Sequence, residues 1–153
     1  MRIGRRRLVA AAAGLVLVTV VVVAALGLVR WRAAGEARVI SPPAGAATPP
    51  DYEKDVADRA AIISRSMRND RGEATVRTYT VPTGSPWLQS RKIVATQLDH
   101  WEQLGPCTDN PESTIVECAW REPTRWWPRQ VTLTMMRLKT GATFVIIGSA
   151  PGE

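Results

Sequence analysis

Residues 8–29, LVAAAAGLVLVTVVVVAALGLV, run for 22 residues without a charged side chain, and this run limits the chain more than anything that follows it. As a helix rising about 1.5 Å per residue it is about 33 Å long, enough to cross a hydrocarbon core of about 30 Å. Its valines disfavour a helix in water, but a bilayer offers the backbone no hydrogen-bond partner except itself, so a helix is the form it takes there. Arg2, Arg5, Arg6 and Arg7 precede the run, against Arg30, Arg32 and Arg38 with Glu36 after it. That excess, with the terminal amine, favours an amino terminus in the cytoplasm.

A cleaved signal peptide is the competing reading. Its apolar region spans about 7 to 15 residues and ends in a small-residue cleavage site. The run here is longer, and the RWRAAGEAR that follows is a poor site. The sequence therefore predicts a signal anchor: a basic cytoplasmic tail over 1–7, a transmembrane helix over 8–29, a proline-rich spacer over 30–50 and an extracytoplasmic domain over 51–153.

A net charge of +6 would ordinarily suggest nucleic acid. Residues 1–38 hold seven arginines and one glutamate, however, and the rest of the chain carries 13 basic and 13 acidic side chains. The basic character belongs to topology and anionic headgroups, so the partners predicted are the lipid bilayer and an envelope protein, with no nucleic acid. Of the 20 basic residues 17 are arginine, and alanine, valine and proline abound, as in proteins of GC-rich bacterial genomes. Cys107 and Cys118 are the only cysteines. Outside the cytoplasm they read as a disulfide, and with His100 they offer too few ligands for a structural zinc site, so no metal or cofactor is predicted.

Residues 39–50, VISPPAGAATPP, contain four prolines and no charge, the composition of an extended spacer without a core of its own. Tyr52, Val56, Ala60, Ile63 and Met67 then recur at helical spacing. Acidic residues crowd the start of this helix and arginines its end, with Asp55 and Arg59 as an i, i+4 pair and Gly72 as the stop. ATVRTYTV (74–81) reads as a strand. A second helix is predicted from an N-cap at Ser85, with Pro86 first, through Val94, Leu98 and Trp101 to Leu104 and Gly105. Three strands follow at 114–121, 130–138 and 143–149, the last two joined by a turn at 139–142. Helix, strand, helix and three strands predict an α+β fold, a small two-layer domain with an antiparallel-rich sheet and helices on one face.

Enzymatic parts are few. His100 is the single histidine, and on a helix it would not face its neighbour Asp99. Ser85 and Ser90 lie in no nucleophile elbow. The carboxylate pairs Glu112 with Glu117, or Glu117 with Glu122, are arbitrary without a cleft. The expectation is a non-catalytic accessory or protein-interaction domain of a bacterial envelope, with a small-ligand or cell-wall-binding module as the alternative.

The most specific site is TRWWPRQ (124–130), where Arg125, Trp126, Trp127 and Arg129 bring together residue types enriched at binding hot spots. Pro123 and Pro128 make it a rigid connection between strands. An extended chain there would send the two indoles to opposite sides, leaving one exposed. Packing on the domain itself, a protein partner and lipid headgroups are the three readings open to it.

Overall fold

The computed structural model describes residues 2–51, 53–107 and 113–152, and it divides between residues 33 and 34 into two compact units. Tyr52 and Glu112 lie outside the described residues. Helix α1 (Arg2–Ala34) makes up the first unit, its last residue belonging to the second. The stretch Leu8–Ala34 is long and apolar enough to cross a membrane, a test that a signal sequence also passes. Its leucines and valines are exposed, as an apolar helix in want of an apolar solvent requires.

The second unit is α+β, in the predicted order of helix, strand, helix and three strands, with a short unpredicted strand between the second helix and the last three. The strands are β1 (Thr75–Val81), the two-residue β2 (Glu102–Gln103), β3 (Ile115–Arg121), β4 (Gln130–Arg137) and β5 (Thr143–Ala150). All pair antiparallel in the order β1-β5-β4-β3-β2. β3, β4 and β5 form a meander through the predicted 139–142 turn, where Gly141 takes φ 85° and Leu138 donates to Ala142 at 2.9 Å.

Helices α2 (Lys54–Arg71) and α3 (Trp87–Thr96) divide between the two faces of the sheet, where the sequence reading put both on one. The result is three layers. Val56, Ile63 and Met67 of α2 pack with Met136, Phe144 and Ile146, while Trp87 and Val94 of α3 pack with Val116, Val131, Leu133, Met135, Val145 and Ile147. The signal for this lies in the unbroken apolar runs of β4 and β5: adjacent strand residues point to opposite faces, so Met135–Met136 and 144–147 need cover on both.

α2 ends where predicted, at Gly72 (φ 72°), whose N–H donates to Arg68. α3 departs from expectation at both ends. Pro86 holds the N-cap position in place of Ser85, without a side-chain cap bond. The helix stops at Thr96, and turns carry the chain through Leu98 and Trp101 into β2, which pairs with Arg121 and Trp120 of β3. Leu98 is buried all the same, because consecutive turns satisfy the apolar spacing that reads as helix.

The proline-rich segment is not a free spacer. Ile40 is a core residue on the α3 face, and Pro43 and Pro49 are buried. Gln97 uses its side-chain amide as a strand edge, accepting from Ser41 N–H at 2.8 Å and donating to Ser41 O at 3.0 Å. Ala47 makes a bridge to Thr80 on the outer edge of β1. Proline fixes φ at a value compatible with extended chain, so the segment covers a sheet edge at small entropic cost.

Candidate functional site

α2 seats over β1 and β5 and leaves the β3–β4 half of the same face open. Residues of one parity point there: Glu117 and Ala119 from β3, and Gln130, Thr132 and Thr134 from β4. Opposite them α2 turns Arg59, Ile62, Ser66 and Asp70. Between the two lies a groove of about 310 Å³, near the lower end of the roughly 300–1,000 Å³ of small-molecule sites.

Three of its polar groups are linked through one carboxylate oxygen. Arg59 and Glu117 are ion-paired across the groove through Nη2 and Oε1. Thr134, almost fully buried, donates to the same Glu117 oxygen at 3.4 Å. The Arg59 Nε, also buried, has no hydrogen-bond partner among the described residues. Thr132 directs its hydroxyl at the Met67 sulfur, 3.6 Å away, a weak acceptor. Ser66 and Asp70 pair at 3.5 Å on the rim, and exposed Ile62 adds an apolar lip. Two arginines, Arg59 and Arg71, face two carboxylates, Glu117 and Asp70, so the charge of the lining cancels.

The TRWWPRQ segment connects β3 to β4, as predicted, but it is not extended. Trp127 has φ 49°, the one positive φ outside glycine among the described residues, a conformation costing roughly 1–2 kcal/mol. The left-handed turn brings the two indoles to one side, with centroids 5.8 Å apart and planes at 53°, instead of sending them to opposite sides. Trp126 is 67% exposed and Trp127 half-buried. Arg125 is exposed, whereas Arg129 closes the base of the loop. Its Nε and Nη2 donate to the two oxygens of Glu122 at 3.1 and 2.9 Å, and its guanidinium lies 5.7 Å from the Trp101 ring centroid. Arg71 donates to the Pro128 carbonyl at 2.7 Å, tying the loop to the end of α2.

Cys107 and Cys118 form the disulfide, with Cα atoms 5.0 Å apart. It fastens the chain after β2 to the middle of β3, behind the groove. His100 and Asp99 approach to 3.3 Å, against the expectation from helical geometry, because a turn and not a helix carries them; both are exposed and neither lines the groove. Ser90 is buried on the inner face of α3. Glu122 is committed to Arg129, so of the predicted pairs' carboxylates that the structure describes, Glu117 lines the groove. Among the described residues no three of His, Cys, Asp or Glu cluster so as to hold a metal.

No known protein family, no curated protein and no solved structure matches the chain.

Proposed function

We propose that the chain is a single-pass, signal-anchored extracytoplasmic domain of a bacterial envelope, with its amino terminus in the cytoplasm, that acts by binding and not by catalysis. Its binding site is the groove between α2 and the β3–β4 half of the sheet. The half-covered sheet face carries this reading: it is concave, apolar at the lip and lined with hydrogen-bonding groups whose charges cancel. A buried donor at Arg59 Nε and a Thr132 hydroxyl aimed at sulfur leave capacity for an acceptor-bearing ligand. Glu117 and Asp70 accept in return, and Ile62, Leu104 and Met67 supply apolar contact.

The ligand class that fits is a small neutral or zwitterionic amphipathic molecule, such as an N-acetylated amino sugar or a short peptide released from a cell wall. This favours the small-ligand reading over a protein partner, since flat protein contacts make little use of a concave, inward-facing polar set. Glu117 is bound to Arg59, and among the described residues no histidine or cysteine thiol lines the groove to serve as base or nucleophile.

Thermal unfolding of the full chain in detergent against a panel of such fragments tests this. A binder at about 100 times its Kd stabilises by about 2.7 kcal/mol. The shift should vanish in Ile62→Arg, an exposed position whose substitution leaves the fold intact. A shift that persists in that variant, or no shift with any fragment, overturns the proposal.

A further inference from the structure

We infer that the Trp126–Trp127 loop is a second membrane contact, seating its exposed indole and Arg125 in the headgroup layer of the bilayer that holds the span. The inference rests on the reading of residues 8–29 as a membrane anchor. Its starting point is the end of the chain. Gly152 N–H donates to Ala34 O at 2.8 Å. A Cβ added at Gly152 would collide with the Trp127 carbonyl and lie 3.0 Å from Trp127 Cβ. Within the folded domain, therefore, the tryptophan loop packs on the residue that packs on Ala34.

Ala34 is also the residue at which the span hands over to the domain. It lies five positions past Val29, the last residue of the uncharged run. Five helical residues rise about 7.5 Å, and the headgroup layer beyond the hydrocarbon is about 5–7 Å deep on each side. Covalent connection alone, whatever the angle between span and domain, keeps Ala34 near the outer margin of the headgroups. Gly152 alone stands between Ala34 and Trp127, and the Trp126 indole adjoins Trp127, which puts it within reach of them.

The side chains suit that place. Trp126 leaves most of its surface exposed, apolar area that at about 25 cal/mol per Å² is costly in water. At a headgroup boundary the same ring buries its apolar body and keeps its N–H wet, as interfacial tryptophans do. Exposed Arg125 adds a cation for lipid phosphate. The loop is also preorganised. The left-handed Trp127, the Glu122–Arg129 pair and the Arg71–Pro128 bond hold the indole outward, so inserting it orders little that was free.

The test uses the full chain reconstituted into phosphatidylcholine and phosphatidylglycerol vesicles, with bromine placed high or low on the acyl chains. Wild type and Trp126→Phe are compared, so that Trp31 and the four other indoles cancel. The expected result is a blue-shifted emission component quenched best by shallow bromine, shielded from iodide and lost in Trp126→Phe, with the melting temperature unchanged. Equal lipid quenching in both proteins, with Trp126 open to iodide, overturns the inference and leaves a soluble protein as the partner of that surface. A chain that fails to float with the vesicles would instead refute the anchor, a result separate from the failure of the loop.

Discussion

At Gly148 the sheet passes close under α2, and one methyl group there should measure how the groove wall is held. Gly148 lies in β5 between Val76 of β1 and Thr132 of β4. A Cβ would meet Thr132 Oγ1 at 2.5 Å, Met67 Sδ at 2.6 Å and Ile63 Cγ2 at 3.2 Å. Ordinary contact distances are about 3.5–4.0 Å, so the first two overlaps are about 1 Å. β5 is flanked on both sides and has no room to retreat, whereas the Met67 thioether can swing away. Overpacking of this kind costs about 1–3 kcal/mol, and the rigid strand argues for about 2. For a domain of this size that lowers Tm by about 6–10 °C. Met67→Ala alone should cost about 2–5 kcal/mol through the cavity it leaves. Because that cavity receives the new methyl, the double variant should cost less than the sum of the singles by about 1–2 kcal/mol. Urea melts of the four proteins in mild detergent supply the cycle. Strict additivity would refute the claim that Met67 seats α2 at Gly148, and with it the account of what sets the groove's width.

Four further expectations concern the disulfide, two ion pairs and the topology. Reduction of Cys107–Cys118, which closes a loop with a sequence separation of 11, should cost roughly 3 kcal/mol in the chain-entropy model, read as a lower denaturation midpoint with little change in the folded spectrum. Glu122→Gln should cost about 2 kcal/mol, since it strands Arg129 in a pair whose side chains are 17% and 15% exposed. Glu102→Gln, which breaks a pair to Arg121 exposed at 57% and 43%, should cost less than about 0.5 kcal/mol and nothing at high salt; equal costs would show that burial does not separate them. Ala44→Cys, in the exposed part of the proline-rich segment, should react with an impermeant thiol reagent on intact cells, and labelling that requires lysis would reverse the proposed topology.

Local features of this chain were legible because each is decided within a few residues. The α2 stripe, the Gly72 stop, the 139–142 turn and the strand positions follow from spacing and turn chemistry, and the disulfide from compartment and number. Packing partners are decided elsewhere. The proline-rich segment reads as a spacer because it lacks charge and periodicity, yet Ile40 finds a core and Ser41 finds Gln97, 56 positions away. The left-handed Trp127 gives no local sign either, since its conformation depends on Gly152, Arg71 and the Glu122–Arg129 pair closing around it.

The groove shows the same division at the site itself. Arg59 sits four residues after Asp55, and helix geometry assigns the two to each other at a gain of about 0.3–0.5 kcal/mol. The guanidinium instead reaches Glu117 on β3, 58 positions on, where a buried threonine hydroxyl joins the pair. Glu117 is itself about half exposed, 52%, so burial does not set it apart from Asp55; the hydrogen bond that Thr134 donates to the same oxygen does. Which carboxylate wins depends on β3–β4 register placing Glu117 opposite Thr134, and on α2 settling over β5 at Gly148. Neither is a property of the residues around Arg59. Glu117 could be named from the sequence as one carboxylate among several; only the register and the helix seat make it the one that faces an arginine across an open half-sheet, and that arrangement turns a surface charge into part of the groove wall.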